Sequence, residues 1–291
     1  MIYNLGSINS DFFFSVPALP VPGETVAATE LNRDLGGKGT NMSIAAARAG
    51  AHVLHIGAVG DDGDWAIEAL QAAGVETKVA VLPKTMTGQA VILRDAKGEN
   101  AIVTLSGANG LLGEAWVTQA LDAIGPDDVL LLQNETNLGP WAARMASASG
   151  AHVLYAAAPF ASKAVQEVLP FVDTLVLNAV EMAQLQAALR VSADELGVDH
   201  VVMTEGAEGA TLLCSGSAPR KLSAPGVKSV DTTGAGDTLA GYLAAGLDFG
   251  RPIHDALENA IFAASIMTTK KGTASAIPFQ HDVDAFRLKT P

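Results

Sequence analysis

The chain has 291 residues, 49 % of them hydrophobic and 17 % charged, which excludes a disordered protein and fits one large domain with an elaboration. Eighteen Lys and Arg against 31 Asp and Glu leave a net charge of −13, which disfavours nucleic acid and anionic membranes as partners. Cys214 is the only cysteine, so an intrachain disulfide and a Cys-based zinc site are excluded.

The chain opens on a strand-like segment, residues 1–5, with no basic stretch leading into an apolar one. No apolar run approaches the roughly 20 residues of a membrane helix, so a soluble cytoplasmic protein is expected. Further short apolar runs lie at 53–59, 129–133, 153–157, 174–177 and 200–204. Helical patterns at 41–49, 65–73, 116–124, 141–149, 163–168 and 181–189 alternate with them. Apolar strands without alternation, interleaved with helices, predict an α/β domain whose parallel sheet is covered on both faces.

Two stretches break this rhythm. Residues 11–34 hold Pro17, Pro20, Pro22 and Gly23, then a β-prone Glu24-Thr25-Val26. Residues 89–94 and 100–104 alternate around an Asp95-Ala96-Lys97-Gly98 turn. Neither stretch has a helical partner. Together they predict a small antiparallel sheet, about 12–35 and 88–105, able to act as a lid over an active site. A plain surface hairpin is the simpler alternative.

Four polar clusters could carry chemistry. Asp231-Thr232-Thr233-Gly234-Ala235-Gly236-Asp237-Thr238 precedes an apolar helical pattern. A Gly-Ala-Gly run opening a helix presents unpaired N–H groups and the positive end of the helix dipole, a site for phosphate oxygens that needs no basic side chain. Asp237 in the first turn could accept a proton from an attacking hydroxyl, or simply cap the helix. Asp34 to Asn41 (DLGGKGTN) also opens a helix, but has neither the Walker A nor the dinucleotide-binding spacing. The Gly36-Gly37 turn there lets a ligand approach the backbone, and Lys38 and Asn41 offer hydrogen bonds. Asn9 and Asp11 are expected at the end of the first strand, where a carboxylate and an amide suit a sugar diol; an Asx turn is the plain alternative. Glu135 follows the run 129–133, and Asn178 follows 174–177 with Glu181 three residues on. By spacing alone, Asn178 and Glu181 form a capping box.

These clusters, in this order, resemble the ribokinase-like (phosphofructokinase-B type) carbohydrate kinases over nearly the whole chain, from NLGSINSD at 4–11 to KKGTASAIP at 270–278. DTTGAGDT and GGKGTN resemble that family's two signatures, and PGET at 22–25 with SGAN at 106–109 resemble its ribokinase branch. The resemblance implies a three-layer α/β/α fold with a mostly parallel central sheet, one kinase domain over 1–291 and a β lid. It implies an ATP-dependent sugar kinase using Mg²⁺ and K⁺, acting on a primary hydroxyl, D-ribose to D-ribose 5-phosphate foremost. Asp237 matches the catalytic base, and Gly234, Ala235 and Gly236 the anion hole. Asn9, Asp11, Gly37, Lys38, Asn41 and Glu135 match sugar contacts. Asn178 and Glu181 match a motif ordering Mg²⁺ through water, and Thr204, Gly206 and Gly209 a nucleotide loop. Asp231 and Thr233, with Met267, Lys270 and Gly272, match a monovalent-cation site. The lid of relatives often forms a dimer interface, so a homodimer is expected.

The chain departs from that pattern in places. Ala179-Val180 stands where relatives carry a polar residue, and the stretch from Glu181 to His200 is short. Ile261 occupies a position often Asn or His near the adenine, and Ala276 one where Ser would help hold the cation. The competing readings are a kinase of another pentose, deoxyribose, a ketohexose or a nucleoside, a sugar-binding protein without turnover, and a dinucleotide-dependent oxidoreductase.

Overall fold

The computed structural model describes residues 1–289; residues 290 and 291, the end of the single domain expected over 1–291, lie outside the described residues. Among the described residues, nine strands form the main sheet. Their spatial order is Arg220–Leu222, Ala210–Cys214, His200–Thr204, Thr174–Asn178, His152–Ala156, Val129–Leu132, Ile2–Leu5, Val53–Gly60 and Glu76–Leu82. From His200–Thr204 to Glu76–Leu82 neighbouring strands run parallel, and the two strands beyond them are antiparallel.

The sheet is apolar on both sides. Val129 and Leu131 pack into one core, and Leu130 and Leu132 into the other. Lys38–Arg48, Asp64–Ala72, Ala235–Asp248, Ile253–Thr268 and Gln280–Arg287 cover the first face. Glu114–Ala120, Gly139–Ala148, Ser162–Val168 and Ala179–Leu189 cover the second. Residues alternate between faces in each strand, yet the sequence shows an unbroken apolar run because neither face meets water. Burial of one such Leu side chain contributes about 1.5–3 kcal/mol before entropy is counted. Here lies the three-layer α/β/α architecture.

A second, four-stranded sheet stands apart, in the order Glu30–Gly36, Asn9–Ser15, Gly88–Arg94, Asn100–Leu105. Its outer pairs are antiparallel, while Asn9–Ser15 and Gly88–Arg94 at its centre run parallel.

Several local expectations are corrected. No strand forms at 24–26; the strand that pairs with Asn9–Ser15 is Glu30–Gly36. Pro17, Pro20 and Pro22 lack the N–H a ladder needs, which delays strand pairing until the chain has passed them. Asn9 and Asp11 lie not at the end of the first strand, which stops at Leu5, but on the second sheet. The helix expected from residue 41 starts at Lys38. Strands Glu76–Leu82 and Ala210–Cys214 and helices Ile253–Thr268 and Gln280–Arg287 complete the layers without having been anticipated. The carboxyl ends of the parallel strands deliver Ser7, Glu135, Asn178 and Thr204 to one rim of the sheet, the edge at which open α/β sheets bind ligands.

Candidate active site

Two clefts open at this rim and meet at the loop from Thr232 to Gly236. One, of about 160 Å³, lies between the two sheets and is lined by Asn9, Asp11, Gly37, Lys38, Asn41 and Glu135. Thr233, Gly234 and Asp237 close its floor, and Phe13, Ile92 and Arg94 of the second sheet its roof. The other, of about 370 Å³, is bounded by Thr204, Gly206 and Gly209 and by Ala235, Gly236 and Ile261. Its remaining wall is mostly small and apolar, including Ala224, Val227 and Ala264, which suits a flat heterocycle.

The wall between the clefts is a helix N-terminus. Gly234 caps the helix Ala235–Asp248 with φ 83°, a left-handed conformation that side chains strain to adopt. A Cβ there would also approach Met267 Cε at 2.9 Å. Ala235 N–H donates to Thr232 O and Thr238 N–H to Gly234 O, which leaves the first-turn N–H groups of Gly236 and Asp237 for an anion.

Asp237 is buried in this first turn, and Asn41 Nδ2 donates to its Oδ2 at 2.8 Å. Burial raises its pKa above the ordinary carboxylate value, while the positive charge of Lys38 and the Asn41 hydrogen bond act the other way. The same contacts appear from the other side at Lys38. Its pKa is raised, foremost by Asp237 and against burial, with further support from Glu135, Glu181 and Asp11. Lys38 therefore remains an ammonium in the middle of four carboxylates.

Glu135 fastens three segments together: its Oε2 accepts from Ser7 Oγ at 2.6 Å and from Lys38 N–H at 3.0 Å. Ser7 Oγ in turn accepts from Gly39 N–H at 3.1 Å. Asn109 orients Asn9. It donates to Asn9 Oδ1 at 2.8 Å and to Ile8 O at 3.1 Å, and accepts from Ile8 N–H at 2.9 Å.

Asp11 is buried with Oδ1 unpartnered. Burial, then the charges of Glu135, Asp34 and Asp237, push its pKa up to about 7 against the pull of Lys38. Gly36 makes room for it, since a Cβ at Gly36 would overlap the Asp11 carboxylate. A buried acceptor without a donor is costly until a ligand hydroxyl supplies one. Asn41 Oδ1 is a second such acceptor on the same cleft.

Asn178 and Glu181 form the capping box that their spacing favours. Asn178 Oδ1 accepts from Glu181 N–H at 2.9 Å, and Glu181 Oε2 accepts from Asn178 N–H at 2.8 Å. The pair nevertheless sits by the second cleft, because Asn178 is in register with Thr204 on the adjacent strand.

Asp231, Thr233 and Gly272 come together. Asp231 Oδ1 accepts from Thr233 N–H at 3.0 Å and Oδ2 from Gly272 N–H at 3.5 Å, with Arg94 Nη2 3.4 Å from Oδ2. Burial raises the Asp231 pKa, but the Thr233 and Gly272 bonds and Arg94 outweigh it and hold the group below its ordinary value. The Met267 carbonyl accepts from Lys270 N–H at 3.1 Å, and its sulfur from Thr238 Oγ1 at 2.9 Å. The carboxylate expected to take a monovalent cation thus already faces a guanidinium and two N–H donors. A second cation beside that guanidinium would be repelled, so these residues do not fit a bound K⁺.

Ser7, Arg94 and Asn109 are site residues beyond those expected, and Gly36, expected only as half of a turn, makes room for Asp11. Asn109 had a signal in the SGAN motif; Ser7 was one letter of NLGSINSD, and Arg94 ends an ordinary alternating strand.

A protein-family model, pfkB family carbohydrate kinase, matches residues 1–280. The ribokinase of Haemophilus influenzae is 35 % identical over 97 % of this chain and 96 % of that protein. Ribokinase from Cryptococcus neoformans var. grubii serotype A in complex with ADP is similar in structure, with a TM-score of 0.84, 33 % identity, and 98 % and 99 % of the two chains covered. Arabidopsis thaliana ribokinase complexed with ribose and ATP also matches, with a TM-score of 0.84, 28 % identity, and 98 % and 97 % covered.

Proposed function

The chain belongs to the pfkB family of carbohydrate kinases, and on that premise we propose that it transfers the γ-phosphoryl group of ATP to the primary hydroxyl of D-ribose, giving D-ribose 5-phosphate. The observation that carries this reading is the helix N-terminus of Gly234–Asp237 between two clefts, with the carboxylate on the smaller one. ATP would lie in the apolar cleft beside Thr204, Gly206 and Gly209, and the sugar against Asn9, Asp11, Gly37, Lys38, Asn41 and Glu135. The Asp11 and Asn41 oxygens that lack donors support a polyhydroxylated ligand there.

Asp237 would take the hydroxyl proton as the oxygen attacks the γ-phosphorus. The N–H groups of the Gly234-Ala235-Gly236 turn would stabilise charge on the transferring oxygens, a task that needs no basic surface on an acidic protein. Mg²⁺, when bound with ATP, would neutralise the phosphate oxygens. Among the described residues no cluster of three His, Cys, Asp or Glu suits a metal ion. Most of its ligands would therefore be phosphate and water, with Glu181 reaching it through water and Asn178 holding Glu181 in place.

Residues 1–291 would act as one kinase domain, with the second sheet, about 12–35 and 88–105, as a lid excluding water. Leu31, Val103 and Leu105 on this sheet are each more than half exposed, on the face away from the cleft, which supports a homodimer through it. Among the described residues no helix is long and apolar enough to cross a membrane, and the cytoplasm, where ATP is plentiful, is the proposed compartment.

The test is an ADP-release assay over ribose, 2-deoxyribose, fructose and nucleosides. Ribose should give the highest kcat/KM by at least tenfold. Equal rates on ribose and fructose would remove the ribose assignment while leaving the kinase class intact.

A further inference from the structure

Arg94 is the last residue of the strand Gly88–Arg94 in the second sheet, 137 positions from Asp231 in the chain. Its guanidinium lies 3.4 Å from Asp231 Oδ2 and over the Phe13 ring on the neighbouring strand, at 5.9 Å from the centroid. It also lines the cleft beside Gly234 and Asp237. The Asp231 side chain is only 10 % exposed, and a carboxylate so enclosed needs a compensating charge. Among the described residues, Arg94 is the cationic side chain within ion-pair distance of it. Asp231 in turn holds Thr233 N–H, and so sets the turn that places Gly234 at positive φ ahead of the anion-binding N–H groups.

We propose that Arg94 is a positioning residue that supplies, from the second sheet, the positive charge Asp231 requires, so that the anion loop is set without a monovalent cation. This rests on the kinase reading above. The observations link roof and floor of one cleft: the strand that covers the sugar carries the group that neutralises the carboxylate behind the phosphate loop.

The experiment compares the full chain with Arg94→Gln and Arg94→Lys. The ADP-release assay should show kcat lowered about tenfold or more in R94Q, with a smaller change in ribose KM, and largely recovered in R94K. Independently of turnover, melting temperatures are measured in KCl and in NaCl at equal ionic strength. The wild type should melt at the same temperature in both salts, whereas R94Q, with the Asp231 face open, should melt several degrees higher in KCl. Selective stabilisation of the wild type by KCl, or an R94Q variant with unchanged kcat, would overturn the proposal. The melting comparison needs no phosphorylated product, so it decides the Arg94 assignment even if the substrate proves not to be ribose.

Discussion

Asn41 and Asp237 stand 196 positions apart, and the amide of the first donates to the carboxylate of the second at 2.8 Å. One comes from the first turn of the helix Lys38–Arg48 and the other from the first turn of Ala235–Asp248. The two glycine-rich segments that open these helices are therefore halves of one site. The bond works with the larger effect of the Lys38 charge against the burial that raises the Asp237 pKa, and so favours the ionised form that can accept a proton.

Replacing Asn41 with Ala removes that support. Without that donor the base would protonate at a higher pH, so the acid-side fall in kcat should move upward. A kcat–pH profile measures this; an acid limb that stays in place would show that Asn41 does not tune the base.

Asp11 gives a second pH dependence of opposite consequence for stability and binding. Its pKa in the folded protein is about 7 against 3.8 for the free side chain. Between those values the unfolded chain has released the proton and the folded chain retains it, so stability is lost as pH rises from about 4 to about 7. The loss is at most about 4 kcal/mol. Asp11→Asn should therefore raise the melting temperature at pH 8 and leave it nearly unchanged near pH 4. Sugar hydroxyls donate best to the ionised carboxylate, so ribose KM in the wild type should fall as pH rises through about 7. A KM flat from pH 6 to 8.5 would contradict this.

Gly36 tests the same carboxylate by shape. Gly36→Ala introduces a Cβ where Asp11 stands, and must push the carboxylate out of the cleft. Ribose KM should rise tenfold or more with a much smaller change in kcat, because Asp237 is untouched. Calorimetric titration with ribose checks the binding term directly, and wild-type affinity in G36A would separate Asp11 from the sugar.

Much of this was legible in the sequence, for physical reasons that differ by element. The central strands could be read because burial on both faces leaves long apolar runs such as Val129–Leu132. The glycine-rich helix starts could be read because few residue types tolerate a backbone that close to a ligand. Glu30–Gly36 was missed because Glu30, Asn32, Arg33 and Asp34 lie exposed on the sheet's edge, so no apolar alternation marks it. Asn9 and Asp11 were assigned to the wrong strand because the break at Gly6-Ser7-Ile8 is buried and short, with Gly6-Ser7 as its one mark. Arg94 was missed because its role comes from a partner 137 residues away, and pairing at that separation leaves no local mark.

Asp237→Asn is the most direct test of the account, because the change nearly preserves shape while removing the negative charge and with it the capacity to accept a proton. A positioned general base contributes typically 10²–10⁴-fold in rate. D237N should therefore lose about 10³-fold or more in kcat for ribose with ATP, while calorimetry shows ribose and a non-hydrolysable ATP analogue still binding. Turnover within tenfold of the wild type would contradict the assignment of Asp237 as the base, and with it the chemical centre of this reading.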